Sequence, residues 1–187
     1  MLTLSREELV ARLPKNGNVA EIGVDKGDFS RVILDQSNPK KLILIDPWIE
    51  MLDIKDMQSV HQEKYNSVVE MFKGDDRVNI LKKSSADALQ DVANTSLDWI
   101  YIDGDHKYDG CLHDLENYAT KVKDDGYICG HDWVTSPKKG FGVNEAVAKF
   151  IKDTGFVLCG LTNESNFKSY ILAKSQSSQK RFNESIK

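Results

Sequence analysis

Apolar runs of strand length alternate with amphipathic stretches along most of the chain. Ser5, three residues before Glu8, makes a capping-box pattern and predicts a short helix through Leu13. VAEIG (19–23) predicts a strand, GDFSRVILDQ (27–36) a helix, and KLILID (41–46) a strand closed by an acid. A long helix is expected over 54–73, with Met57, Val60, Val68, Met71 and Phe72 on its apolar side. RVNIL (77–81), LDWIYID (97–103) and GYICGH (126–131) predict further strands, separated by helices over 85–93 and 108–122. A helix over 143–154 precedes two strands, 155–161 and 167–173, which the short polar turn between them predicts to be antiparallel. Residues 175–187 are polar without periodicity and are expected to fray.

Strands with few polar residues, separated by helices, indicate an α/β fold with a largely parallel sheet covered on both faces. A chain of 187 residues suits one domain, expected over 1–174, followed by the polar tail. In such sheets ligands bind at the carboxyl ends of strands, near the point where strand order reverses. Five consecutive strand ends carry polar groups: Glu21 with Gly23, Asp46, Ser84 with Ser85, Asp103 to His106, and His131 with Asp132.

Composition narrows the partners. Charged residues make up 29%, mean hydropathy is −0.44, and the net charge of −4 is spread rather than blocked. Nucleic acid and anionic membrane are therefore not expected as partners. No apolar run approaches the roughly 18 residues of a membrane span, and the first residues lack a secretory pattern. Three widely spaced cysteines (Cys111, Cys129, Cys159) without a CxxC pair fit a reducing cytoplasm.

The loop after the first strand, EIGVDKGDFS, departs from G-x-G-x-x-G, and Asp25 and Asp28 put negative charge where a dinucleotide pyrophosphate would lie. A ligand with positive charge suits it better. Asp46 can take a ribose hydroxyl pair or cap the turn before Pro47.

EIGVDKGDFS, LILIDPW, ILKKSSADAL, DWIYIDGDHKYDG and DGYICGHDW, in order and suitably spaced, resemble successive motifs of the class I S-adenosylmethionine-dependent methyltransferases. They are most similar to methyltransferase family 24, over Val19 to Trp133 and more loosely to residue 173. The resemblance implies a Rossmann-like, doubly wound, seven-stranded sheet, mostly parallel with an antiparallel C-terminal strand. It also implies that Glu21, Gly23 and Gly27 line the methionine side of S-adenosyl-L-methionine. Asp46 would hold the ribose, Ser84, Ser85 and Ala86 would flank the adenine, and Asp103 would face the cofactor. Asp25 stands where the common E-x-G-x-G-x-G loop has its middle glycine.

Methyl transfer to an alcohol needs a base or a metal, because a neutral hydroxyl is a poor nucleophile. His106 is the candidate general base, since an imidazole titrates near ~6.5. Asp103, His131 and Asp132, on adjacent strand ends, are candidate ligands for a divalent metal. Corresponding strand ends supply ligands in metal-dependent catechol and sugar O-methyltransferases, where position 131 is commonly a carboxylate. Oxygen ligands suit Mg, and an imidazole shifts preference toward Mn, Fe or Zn. In the alternative, Asp103 faces the cofactor while His131 and Asp132 bond the following loop. His61 and His113 are expected to be structural or solvated, with His113 on an exposed face beside Asp114 and Glu116. KKGFG (138–142) is a candidate lid, and Trp48 and Trp133 are either adenine or acceptor walls or core aromatics.

The function expected is methyl transfer to a small-molecule hydroxyl, of sugar or natural-product type. An NAD-linked oxidoreductase and a non-catalytic cofactor-binding protein are the alternatives. The segment before the first strand is short, so a neighbouring subunit in a homodimer could cover the acceptor side, although no motif supports one.

Overall fold

Continuous apolar sequence builds the middle of the sheet. The computed structural model describes residues 4–49, 58–134, 140–164 and 166–185. Its strands are β1 (Asn18–Ile22), β2 (Lys41–Asp46), β3 (Val78–Lys82), β4 (Leu97–Ile102), β5 (Val122–Val134), β6 (Val157–Leu161) and β7 (Phe167–Ala173). The helices are α1 (Arg6–Arg12), α2 (Asp28–Ser37), α3 (Gln58–Met71), α4 (Ser85–Ala88), α5 (Tyr108–Ala119), α6 (Val143–Thr154) and α7 (Gln176–Ser185). The strand order is β3-β2-β1-β4-β5-β7-β6. β1 to β5 pair in parallel, and β7 runs antiparallel to both β5 and β6. The seven-stranded, doubly wound α/β sheet expected from the motifs is the one observed.

Alternation along each strand divides the core between the two faces. Ala20, Ile22, Ile43, Ile100 and Ile102 pack with residues of α4, α5 and α6. Val19, Leu42, Leu44, Trp99 and Tyr101 pack with residues of α1, α2, α3 and α7. The Ser5–Glu8 capping box forms: the Ser5 amide donates to Glu8 Oε2 at 2.9 Å, and the Glu8 amide to Ser5 Oγ at 3.3 Å.

Several elements differ from the sequence pattern. The helix expected over 85–93 is one α-turn, α4, followed by a 3₁₀ turn at Leu89–Asp91. α5 stops at Ala119, and β5 starts at Val122 and runs to Val134, well past the expected 126–131. Its outer half continues because Trp133 and Val134 pair with Lys168 and Phe167 of β7. The tail is a helix rather than a frayed end. Phe182 of α7 is buried against Tyr127, whose hydroxyl donates to the Ser178 carbonyl at 2.8 Å. Met57 and the start of the helix expected from 54, with Lys138 and Lys139 of the candidate lid, lie outside the described residues. No helix among the described residues is long and apolar enough to cross a membrane.

Candidate active site

Strand order reverses between β1 and β4, and a cleft of about 510 Å³ opens at the carboxyl ends of β1 to β4. Gly23, Asp46, Ser84, Ser85 and Asp103 line it, with Ile22, Ile45 and Ile49 as apolar walls. Gly23 is required by a close crossing of backbones as well as by its loop. It has φ 85°, and a Cβ there would stand 2.0 Å from the Asp103 carbonyl oxygen. Any side chain at this position displaces the end of β4 before it reaches a ligand. Gly27, with φ 84°, faces Val68 and Phe72 of the α3 layer and does not line the cleft.

Glu21 also lies outside the cleft lining. Its position in a strand buried on both faces leaves it 1% exposed, where the Ser30 hydroxyl donates to its carboxyl. Burial pushes that carboxyl up to about 8, so it is protonated at neutral pH.

Asp46 serves the loop first. Its Oδ2 accepts from the amides of Val24 (2.9 Å) and Asp25 (3.0 Å), and its Oδ1 from that of Trp48 (2.7 Å). A carboxylate offers about four acceptor sites, so roughly one remains for a ligand hydroxyl. Trp48 is a core aromatic: it is buried, tilted against Tyr65, and donates from Nε1 to the Asp25 carbonyl. Trp133 is half-buried against the core. The Asp25 carboxylate pairs with Lys64 of α3, which offsets the charge noted in the sequence.

At the far end of the cleft the Ser84 hydroxyl caps α4, accepting from the Asp87 amide at 3.1 Å and donating to its carboxylate at 2.6 Å. Ser85 is held by its carbonyl, which accepts from the Tyr118 hydroxyl at 2.8 Å. His113 is exposed as expected but borders the cleft. Asp114, expected on the exposed face, is instead 4% exposed and lines the cleft wall. Burial raises its carboxyl above the usual range, and the Ser85 side chain partly opposes this. Spacing could have revealed it, because Cys111, Asp114, Leu115 and Tyr118 form one buried helical stripe.

Beyond Asp103 lies a concentration of acids and imidazoles. Asp103, His131 and Asp132 each bring one ligand atom within 4.8 Å of the others. His131 Nδ1 is 3.3 Å from Asp132 Oδ1 and 3.7 Å from Asp103 Oδ1. Consecutive residues of a regular strand point to opposite faces, so His131 and Asp132 could not both turn toward Asp103. A bulge brings them together: the β5–β7 register shifts between Gly130 and Trp133, and Asp132 takes φ 58°. The pair thus sits at a bulge inside β5, not at its end.

Burial pushes the Asp103 carboxyl up to about 6, with Asp132 and Asp25 adding to the effect and His131 and Arg6 opposing it. Burial would lower the His131 imidazole. Its hydrogen bond to Asp132 and the charge of Asp103 outweigh that and hold it above its ordinary value. Arg6 of α1 stacks over Phe29 and brings Nη1 to 3.9 Å from Asp103 Oδ2, so the chain's own first helix reaches this corner.

His106 shares a small cavity with Asp103, His131 and Asp132. Its ring stacks on Phe141 at 4.2 Å, and its carbonyl accepts from the Gly142 amide at 2.9 Å. Phe141 in turn meets Phe167, which lies 6.4 Å from His131, giving an arc of four rings that the sequence pattern did not reveal. Tyr170 lines the same cavity, fully buried, and its hydroxyl has no partner among the described residues. The space measures about 10 Å³, about enough for one water. The arrangement combines an apolar cleft with an acid-rich corner suited to a cation, beside two imidazoles able to carry protons.

A family model described as a methyltransferase domain, family 24, matches residues 20–133. No curated protein sequence matches the chain. Among solved structures, an S-adenosylmethionine-dependent methyltransferase from Aquifex aeolicus superposes with a TM-score of 0.63 at 15% identity, over 92% of each chain. An O-methyltransferase family protein from Burkholderia thailandensis gives 0.66 at 12% identity, over 90% of this chain and 55% of that one. Fibrillarin from Aeropyrum pernix, solved with natively bound S-adenosyl-L-methionine, gives 0.62 at 10% identity, over 86% of this chain and 67% of that one. At these identities the likeness is one of fold.

Proposed function

Since the chain belongs to family 24 of the class I S-adenosylmethionine-dependent methyltransferases, we propose that it methylates a hydroxyl of a small molecule with His106 as general base and a divalent metal at Asp103, His131 and Asp132. Family membership sets aside the NAD-linked alternative. One observation carries the choice of a hydroxyl acceptor. Three acids (Asp103, Asp105 and Asp132) and two imidazoles line one small cavity beside the cleft, which is the equipment needed to remove a proton from a weak nucleophile.

The cleft suits the cofactor: isoleucines wall it, and carboxylates stand at the end where a positive charge would lie. Bound there, S-adenosyl-L-methionine supplies an electrophilic methyl group on a sulfonium. Asp46 fixes the loop over Gly23 and offers one acceptor position, and Asp103 borders both the cleft and the acceptor corner. His106, clamped on Phe141, takes the acceptor's proton on a ring nitrogen. Asp103, His131 and Asp132 fit a divalent ion by donor type, two carboxylates and an imidazole favouring Mn or Mg, and the ion would lower the hydroxyl's pKa. The acceptor is a small molecule of sugar or natural-product type.

Calorimetry with S-adenosylhomocysteine, followed by transfer of labelled methyl to a panel of phenols, sugars and hydroxylated natural products, tests the proposal. Binding is expected, with turnover that chelation abolishes while binding survives. No binding overturns the cofactor assignment, and binding without transfer to any acceptor leaves a non-catalytic cofactor protein. Transfer undiminished by exhaustive chelation removes the metal.

A further inference from the structure

Among the described residues, the Tyr170 hydroxyl is the one buried side-chain polar group without a hydrogen-bond partner. Tyr170 lies on β7 opposite Gly130 and is fully buried. A Cβ on Gly130 would stand 2.3 Å from the hydroxyl oxygen and 2.4 Å from the ring carbon bearing it, so the glycine is what lets the phenol lie across β5. The next residues, His131 and Asp132, form the bulge, and they line one small cavity together with Tyr170 and Cys111. Burial keeps the phenol protonated, so it meets this cavity as a donor. The Cys111 thiol feels the hydroxyl, which partly opposes the burial that pushes it up to about 12. Sulfur is a weak acceptor, however, and no hydrogen-bond geometry forms. Phenylalanine would fill the same space with no hydroxyl to satisfy, and a buried hydroxyl is unfavourable unless an acceptor meets it.

A space of about 10 Å³ admits one water, which needs two or more polar partners. Asp132 supplies the second. Its charge acts on the Cys111 thiol from the same cavity, and its Oδ1 faces His131 Nδ1 at 3.3 Å. A carboxylate has about four acceptor sites, so positions remain for a donor. We infer that one buried water accepts from the Tyr170 hydroxyl and donates to the Asp132 carboxylate, which makes Tyr170 a positioning residue for the cluster of Asp103, His131 and Asp132. Its role toward a metal rests on the preceding section. Carboxylates that ligate ions are themselves held by hydrogen bonds, and losing such a partner weakens metal binding by roughly 10–100-fold.

Crystals of the wild type and of Tyr170→Phe, grown without metal, test the bridge, and calorimetry with Mn²⁺ tests the positioning role. The wild type should show a water at roughly 2.7–2.8 Å from the Tyr170 hydroxyl oxygen and within reach of Asp132, and Tyr170→Phe should lose it. The variant should also unfold at lower urea than the wild type. An orphaned hydroxyl would give the opposite sign, because its removal relieves a cost. Mn²⁺ should bind the variant roughly tenfold or more weakly, with S-adenosylhomocysteine affinity unchanged. No water beside the hydroxyl, or a variant more stable than the wild type, overturns the bridge. Equal Mn²⁺ affinity in the two proteins overturns the positioning role and leaves the metal assignment standing. A wild type that binds no Mn²⁺ overturns the metal assignment and the positioning role with it.

Discussion

Replacing Glu21 with Gln should make the protein more stable at alkaline pH while leaving it nearly unchanged in mild acid. Glu21 is fully enclosed between α2 and the sheet, with the Ser30 hydroxyl donating to it. Burial moves its carboxyl from 4.5 to about 8 in the folded chain. In the unfolded chain the proton leaves near the lower value, and in the folded chain it stays until the higher one. Between the two the unfolded state binds fewer protons, so the wild type loses stability as pH rises through that window. At about 1.4 kcal/mol per pH unit, the loss across the whole window is on the order of 3–5 kcal/mol. Glutamine cannot ionise, and its amide oxygen can still accept from Ser30. Urea denaturation of both proteins from about pH 5 to about pH 9 gives the difference directly, with equal slopes confirming a common unfolded state. The curves should coincide at the acid end and diverge steadily toward alkali. A difference that stays flat with pH would mean that Glu21 ionises in the folded state as it does in water.

Two further outcomes are expected. His106→Gln should lower the single-turnover rate by roughly 10²–10⁴-fold with S-adenosylhomocysteine affinity unchanged, and a near-normal rate would remove the general-base role. Phe182→Ala should cost roughly 3–5 kcal/mol in chemical denaturation, whereas a loss below about 1 kcal/mol would mean that α7 contributes little to the fold.

The strands were legible in the sequence because five of them combine apolar runs with polar closing residues, and that same coincidence located the cleft. The Ser5–Glu8 box marked the first helix because its chemistry is local. The rest depended on contacts distant in sequence. α7 carries a single large apolar side chain, so no periodicity announced it, and Phe182 is buried because Tyr127 happens to lie beneath it. Asp46 presented itself as a ligand residue, and its commitments to Val24, Asp25 and Trp48 appear only once the loop is closed. The acid in VAEIG lies inside a strand covered on both faces, and that placement is itself a signal of burial. The arc of His106, Phe141, Phe167 and His131 joins four separate segments, and no spacing along the chain encodes it.

The irregularity in β5 has a consequence for how this site could arise or be transplanted. His131 and Asp132 are neighbours in sequence whose side chains come together beside Asp103 only because one residue is out of step with β7. Their identities alone are not portable: grafted onto a regular strand of a related sheet, one of the two would point into the opposite layer. Conversely, deleting a single residue here would restore smooth pairing and dismantle the cluster without changing any of the remaining side chains. Length, more than residue type, is what this segment cannot vary.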